Sequence, residues 1–199
     1  CTATCTINAP TPPSLTIDKQ QRLIPDTTLQ WVGLGTPSDI AYTSPGQFEF
    51  RIIITNNGGN ATNVVMRDTL PVGFVMDALP WGCVGTITPG AASVTCNAQA
   101  GTTLTSQSFN LPAGAVATFL VKGTLTSWSP TTNSVYASYT NPINNTSLNT
   151  PTDTVNQHPQ LQNTTLALTK QQRNVTTNTP AGATTYTSSP ITFSANDDV

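Results

Sequence analysis

The sequence predicts an all-β protein, an immunoglobulin-like antiparallel sandwich followed by part of a second sandwich repeat. Thr occupies 38 positions and Thr plus Ser 52, and Thr and Val favour the pleated, half-buried surface of a sheet. The 16 Pro and 13 Gly are spread along the chain as regular punctuation, which is typical of the turns of a multi-stranded sandwich. No segment has a convincing helical period.

Composition limits the class of protein and its partners. Charged residues make up 8% of the chain, against about 25% in an average domain, but the 37% apolar share is that of a folded protein rather than a disordered one. The seven basic residues are scattered and the net charge is −2, so nucleic acids and anionic membranes are not expected partners. No apolar run approaches the roughly 20 residues of a membrane span.

An internal repeat organises the chain. The segment Leu-Thr-Ile-Asp-Lys-Gln-Gln-Arg at 15–22 returns as Leu-Ala-Leu-Thr-Lys-Gln-Gln-Arg at 166–173. The Tyr-Thr-Ser that starts at Tyr42 returns at Tyr186, and both copies then reach Pro and an alternating strand. The chain therefore contains one repeat and the opening of another.

This repeat divides the chain into three predicted segments. They are an N-terminal extension that is a candidate donor strand, an immunoglobulin-like repeat with a trailing linker, and the opening strands of a second repeat: 1–13, 14–162 and 163–199. About 37 residues cannot bury enough surface to fold as a sandwich alone. Either the gene continues past Val199, or another subunit completes these strands, and such head-to-tail exchange propagates into a filament. Because the chain opens at Cys1 without Met, its numbering is expected to begin at a processed end or within a longer product.

The strands of the first repeat follow from alternation and from turn residues. In the strand 47–54 the four apolar residues at even positions share one face and should line the core, whereas Glu49 and Arg51 face outward. Turns are predicted at 57–60 and 70–73. Further strands are predicted at 63–67, 104–111, 115–125 and 134–139, and the segment 142–162 is predicted to be a last strand that fades into a connector.

Cys83 and Cys96 are predicted to form a disulfide. They flank a segment that turns at Pro89-Gly90, and centring a hairpin there places Cys83 opposite Cys96 as a non-hydrogen-bonded pair, whose Cα atoms lie within disulfide reach. Pro-Gly favours type I or II turns, so the loop could contain four residues, and a symmetric lengthening keeps the same pairing. A disulfide implies an oxidising compartment and therefore export.

Cys1 and Cys5 leave three interpretations open: a local disulfide, which we favour, an intermolecular link, or a lipidated N-terminus at Cys1. Zinc is not predicted, because Cys-x-x-Cys spacing is absent and the single His, His158, lies in a polar stretch that reads as a solvated linker. No other metal and no cofactor is predicted.

Three sequence blocks carry a family resemblance. After a first-strand Lys come Tyr-Thr-Ser-Pro-Gly at 42–46, Thr-Asn-Asn-Gly-Gly-Asn at 55–60 and Asp-Thr-Leu-Pro-Val-Gly-Phe at 68–74. In these blocks residues 14–155 resemble the conserved-repeat family, domain of unknown function eleven, of prokaryotic surface and secreted proteins. The resemblance implies an immunoglobulin-like sandwich used as a spacer, adhesin stalk or filament unit, and it brings no catalytic residues. The insert at 27–40 and the cysteine hairpin depart from the family pattern.

Five Asn-x-Ser/Thr sequons are candidate glycosylation sites in predicted loops and linkers, although the Asn, Ser and Thr content by itself predicts roughly four by chance. They are Asn60, Asn144, Asn145, Asn163 and Asn174.

Lys19 is a candidate for an intramolecular isopeptide bond of the kind known from other surface immunoglobulin-like domains. The other residues of the isopeptide site would be Glu49 or Asp68 and a late-strand asparagine such as Asn133 or Asn141. The competing interpretation of Lys19 is a solvated strand lysine.

An enzyme is not predicted, because the chain has one His in a polar stretch and one Glu, too few for a nucleophile–base pair or paired carboxylates. The favoured function is a structural protomer of an extracellular filament or cell-surface stalk, assembled head to tail by β-strand exchange, whose partners are other copies of itself. The alternative is a monomeric adhesin or carbohydrate-binding surface module that recognises cell-surface or environmental glycans. Trp31, Trp81 and Trp128 could then form a sugar platform, against the simpler interpretation that each packs at the core or an edge.

Overall fold

The computed structural model describes residues 9–24, 31–33, 39–78, 82–97 and 99–160. All of them belong to the first of two units into which the chain divides, Cys1–Leu161 and Gln162–Val199. Several predicted features lie outside the described residues: the opening strands of the second repeat, most of the N-terminal extension, Cys1, Cys5, Asn163, Asn174 and Trp81. No helix in the described part of the chain is long and apolar enough to cross a membrane.

The described residues form thirteen strands. They are β1 (Leu15–Ile24), β2 (Asp39–Tyr42), β3 (Gly46–Asn56), β4 (Ala61–Thr69), β5 (Phe74–Met76), β6 (Cys83–Thr88), β7 (Ala92–Thr95), β8 (Thr103–Thr105), β9 (Phe109–Leu111), β10 (Val116–Leu125), β11 (Thr131–Asn141), β12 (Thr146–Asn149) and β13 (Asp153–Pro159).

Two sheets pack face to face as a sandwich. The first has the order β1-β3-β10-β6-β7, with β5 beside the second half of β10, and the second has the order β2-β13-β11-β4-β8, with β12 beside β11 and β9 beside β4. Every strand pair is antiparallel except β13 with β2, which is parallel. The predicted all-β sandwich is therefore confirmed for the first repeat.

The core is built by the alternation that the sequence shows. Phe48, Phe50, Ile52 and Ile54 are all fully buried, as predicted, and they meet inward residues of β10, β11 and β4 that are equally buried. Each such side chain stabilises the fold by about 1.5–3 kcal/mol relative to an exposed position.

The cysteine hairpin has the predicted register. Val84 pairs with Thr95 and Ile87 with Ala92, which places Cys83 opposite Cys96. The turn has four residues rather than two, the longer of the two expected loops, and the pairing is unchanged because the extra residues are added symmetrically.

Two segments differ from their predicted structure. The strand predicted at 104–111 is divided into β8 and β9, because the Ser106 hydroxyl accepts a hydrogen bond from Met66 N at 3.0 Å and interrupts the ladder. The segment at 142–162 supplies two strands, β12 and β13, rather than one strand that fades. In β13, Val155 and Gln157 point inward and are fully buried, so this stretch belongs to the sandwich, and His158 lies exposed in a strand rather than in a linker.

Candidate functional site: a buried lysine, aspartate and asparagine

Lys19 lies inside the sandwich. In β1 the side chains of Leu15, Lys19 and Gln21 are buried on one face, and Lys19 has no exposed surface. It lies opposite Ile52 of β3, and its Nζ is 5.3 Å from the centroid of the Phe50 ring. A lysine therefore occupies a position where the two-residue period calls for an apolar side chain.

Asp68 is the direct partner of this lysine. It follows Val64 and Met66 on the inward face of β4, and its carboxylate Oδ1 lies 2.7 Å from Lys19 Nζ, with neither side chain exposed. The other carboxylate oxygen, Oδ2, is buried and has no hydrogen-bond partner among the described residues.

Asn133 is the third polar group in this interior. It is fully buried on the inward face of β11, and neither its amide nitrogen nor its amide oxygen has a hydrogen-bond partner within the described part of the chain. Asp68 pairs with Val135 in the β4–β11 ladder, so Asn133 is the diagonal neighbour of Asp68 on the same face. Diagonal neighbours have Cα atoms roughly 7–8 Å apart, within reach of long side chains.

Strand β1 reaches this point from the opposite sheet, where it lies against β11 and β13. The backbone N–H of Lys19 donates to Asp153 Oδ2 at 2.6 Å, and Asp153 pairs with Val135. The side chain of Lys19 thus enters the space between the sheets at the level of Asp68 and Asn133.

Burial controls the protonation of the pair. Desolvation lowers the pKa of Lys19, while the charge and the hydrogen bond of Asp68 oppose that change. Desolvation also raises the pKa of Asp68, against the effect of Lys19. Both directions favour the uncharged forms, because a low-dielectric interior penalises each charge, and both therefore favour transfer of a proton from the ammonium to the carboxylate.

Glu49, the other carboxylate predicted for the isopeptide site, does not lie near Lys19 Nζ. It lies on the outer side of β3 and is covered by two cations: it forms an ion pair with Arg22, and Lys122 Nζ lies 3.2 Å from its Oε1. The structure therefore brings Lys19 to Asp68 and leaves Glu49 on the opposite face of the same sheet.

Asn141, the other predicted asparagine, is also elsewhere. It is the last residue of β11, four alternations away from Asn133, and its Oδ1 accepts a hydrogen bond from Ile143 N at 3.0 Å. Of these two asparagines of β11, only Asn133 combines burial with an amide that has no partner among the described residues.

The remaining predicted sites that fall within the described residues lie at the surface or in the hairpin. Cys83 and Cys96 are joined in a disulfide with Cα atoms 6.0 Å apart. The sequon residues Asn60, Asn144 and Asn145 are exposed in turns, where glycosylation stays a prediction.

The structure describes two of the three tryptophans, Trp31 and Trp128, and their surroundings differ. The Trp31 ring lies 4.4 Å and 4.3 Å from the guanidinium carbons of Arg22 and Arg51, which stack on it. Trp128 is 62% exposed.

Comparison with solved structures supports the fold. A variant of BcpA, the major pilin subunit of Bacillus cereus, matches with a TM-score of 0.50 at 15% sequence identity, over 73% of this chain and 40% of the pilin chain. BcpA itself matches with a TM-score of 0.49 at the same identity and coverage. The collagen-binding domain of a Staphylococcus aureus adhesin matches with a TM-score of 0.39 at 11% identity, over 55% of this chain and 87% of that domain.

The likeness to the pilin variant supports the immunoglobulin-like sandwich, and at 15% identity it carries no more than the fold. The chain spans about two fifths of the pilin chain that it matches. No protein-family model matches the chain, and no curated protein matches it significantly, so the conserved-repeat resemblance stays a prediction. In fold, the first repeat is similar to domains of a bacterial pilin subunit.

Proposed function

We propose that this protein is a structural subunit of an extracellular filament or cell-surface stalk, assembled head to tail by β-strand exchange, and not an enzyme. The observation that supports this best is that the chain enters the sandwich at one end and leaves it at the other. Modules with this geometry extend a stalk when they are joined in series.

The chain enters at the end of the sandwich where β3 turns into β4. Asn57 N donates to Ser14 O at 2.8 Å, and Gly59 N donates to Pro12 O at 2.9 Å. These bonds hold the segment that leads into β1 against the turn that follows β3.

The chain leaves at the opposite end, where β3 begins. Pro159 pairs with Tyr42, Gln160 N donates to Tyr42 O at 2.7 Å, and the Tyr42 hydroxyl donates to Ser127 O at 2.7 Å. Strand β3, with 11 residues, spans the distance between the two ends, about 33 Å at the usual rise per residue.

The first and last strands are held to each other across the two sheets. Besides the bond from Lys19 N to Asp153, Gln21 Nε2 donates to Asn156 O at 2.7 Å, and Gln157 Nε2 donates to Gln21 Oε1 at 2.7 Å in the buried interior. The two strands run in the same direction, so tension between the chain ends has to shear these contacts together rather than open them one by one.

The strand-exchange part of the proposal rests on the sequence repeat. The copy at 166–173 has the same alternation as β1, and a strand with this pattern can pair with the sheet edge of another subunit. The disulfide between Cys83 and Cys96 supports an extracellular location, because disulfides persist in oxidising compartments.

The test uses the full-length chain in light scattering and negative-stain electron microscopy. Wild type is expected to form fibres with a repeat of one domain, and Leu168→Asp is expected to remain monomeric, since a charge would replace an apolar side chain of the donated strand. Thr169→Asp, on the other face of the same strand by the two-residue period, is the matched control and should still polymerise. A wild type that stays monomeric, or equal polymerisation of both variants, would contradict strand exchange.

The alternative function, a carbohydrate-binding module, has less support. A sugar platform needs several flat aromatic faces open to solvent. Two guanidinium groups lie over the Trp31 ring, which leaves Trp128, 62% exposed, as the open ring of the two tryptophans that the structure describes.

A further inference from the structure

The buried side chains of Lys19, Asp68 and Asn133 are not joined covalently, and in this state several of their polar atoms lack a hydrogen-bond partner in the described structure. Both amide atoms of Asn133 and one oxygen of Asp68 are buried without a partner in the described structure. Buried polar groups are nearly always paired, and an unpaired one is costly, so three such atoms in one place require an explanation. They lie on neighbouring positions of one inward face, next to a buried amine.

We propose that Lys19 and Asn133 become joined by an intramolecular isopeptide bond between Lys19 Nζ and Asn133 Cγ, with Asp68 as the acid–base group. The bond would connect β1 of the first sheet to β11 of the second through the middle of the sandwich.

The product satisfies the atoms that the reactants leave unpaired. A secondary amide at this position presents one N–H and one carbonyl oxygen. A protonated Asp68 can accept the N–H on the oxygen that already contacts Lys19 Nζ, and it can donate its O–H from the other oxygen to the Asn133 carbonyl. The buried cation disappears, and with it the desolvation cost of an internal charge.

The reaction balances without a further reactant. A proton first passes from the Lys19 ammonium to the Asp68 carboxylate, which leaves a neutral amine. The amine lone pair attacks Asn133 Cγ while the protonated Asp68 donates its proton to Asn133 Oδ1. The attacking nitrogen then gives one proton back to the Asp68 carboxylate, and the result is a neutral tetrahedral intermediate. Asp68 next protonates Asn133 Nδ2, which makes that nitrogen a leaving group. The Cγ–Nδ2 bond breaks, ammonia leaves, and the carbonyl reforms as Oδ1 gives its proton to the Asp68 carboxylate. The net change is amine plus primary amide to secondary amide plus ammonia.

The environment favours each step. Only a neutral lysine is a nucleophile, and burial lowers the pKa of Lys19. Only a protonated carboxyl can donate a proton to the amide oxygen, and burial raises the pKa of Asp68. Lys19 and Asp68 are already in contact at 2.7 Å, and Asn133 lies on the same inward face as Asp68, at a diagonal position of the β4–β11 ladder. The sandwich therefore keeps the amine, the carboxyl and the amide close together, as attack on an unreactive amide requires.

The inference goes beyond the proposed assembly and does not depend on it, because all three residues belong to the first repeat. A chain that stays monomeric can still form the bond, and a chain that lacks the bond can still polymerise, so the two proposals fail separately.

The experiment is the intact mass of the full-length chain, expressed in a bacterial host that does not glycosylate it and reduced before measurement. We expect wild type to be lighter than its sequence by one ammonia, and Asn133→Ala and Asp68→Ala to have their full calculated masses. Asn141→Ala is the matched control, since it removes the other inward asparagine of β11, and it should retain the loss of ammonia. A wild type with its full sequence mass would overturn the proposal even if a variant failed to fold.

Succinimide formation at Asn57-Gly58 would also release ammonia, so the site of the loss has to be mapped. Trypsin cannot cut after an amidated Lys19, and the proposed bond therefore yields one branched product that joins residues 1–22 to residues 123–170. Recovery of these as separate peptides, with cleavage after Lys19, would assign the mass loss to another site and refute the bond.

Discussion

The substitution Asn133→Ala distinguishes an interior that is cross-linked by an isopeptide bond from one that contains only a buried ion pair. The two states predict changes of opposite sign in the free energy of unfolding. Without a bond, the amide of Asn133 is buried and unpaired in the described structure, and its removal recovers a desolvation penalty of about 1–3 kcal/mol. A small cavity offsets part of this gain, so the variant should be as stable as wild type or more stable.

With the bond, the same substitution is strongly destabilising. A link from Lys19 to Asn133 closes a loop of roughly 115 residues, and the chain-entropy estimate for a loop of that length is about 5 kcal/mol. At about 2–4 °C per kcal/mol for a chain of this size, the melting temperature should fall by about 10–20 °C.

The assay is urea unfolding of oxidised full-length protein, followed by tryptophan fluorescence and circular dichroism. The bond also restricts the unfolded chain, so its loss should expose more surface on unfolding and increase the dependence of the unfolding free energy on urea. Asn141→Ala serves as the control, because it removes the side-chain oxygen that accepts one hydrogen bond from Ile143 N, worth about 1 kcal/mol. The reasoning is refuted if Asn133→Ala unfolds at the same urea concentration as wild type or at a higher one, with an unchanged slope.

Three further predictions test the framework around the site. Cys83→Ser should lower the unfolding free energy by about 3 kcal/mol, because the disulfide to Cys96 no longer closes a short loop. Wild type treated with reductant should have the same urea midpoint as this variant. A wild type whose midpoint does not respond to reductant would contradict the stabilising role of the disulfide. Asn56→Ala should lower the unfolding free energy by about 2–4 kcal/mol, because the buried Asn56 amide donates to three backbone carbonyls at 2.7–3.0 Å. Its control, Asn57→Ala, loses one exposed hydrogen bond of 3.3 Å and should change the unfolding free energy by less than about 0.5 kcal/mol. Equal urea midpoints for the two variants would contradict the structural role assigned to Asn56. Gly123→Ala should cost at least about 2 kcal/mol in the same assay, because its Cβ would collide with a backbone carbonyl of β5, and a stable variant would mean that β5 can move away.

The candidate site was only partly predictable. A lysine in the first strand, an aspartate in the Asp-Thr-Leu-Pro block and a late-strand asparagine could be named from the sequence, but Glu49 and Asn141 were equal alternatives to Asp68 and Asn133. The deciding facts are the face on which each side chain lies and the sheet that the strand joins. Lys19 also illustrates a missed signal: it follows Leu15 and Ile17 at spacings of two, so the alternation already placed it on an apolar face, although its charge suggested solvent.

What the sequence determined by itself were features that depend only on neighbours along the chain. The alternation in β3 identifies its core face, and the turn at Pro89-Gly90 sets the register that joins Cys83 to Cys96, because strand period and hairpin pairing are properties of short segments. The tertiary structure alone decided which sheet each strand joins and which strands face each other across the interior. Lys19 and Asp68, 49 residues apart, meet only because β1 packs over the sheet that contains β4, and burial then gives their chemistry a setting that no local pattern contains.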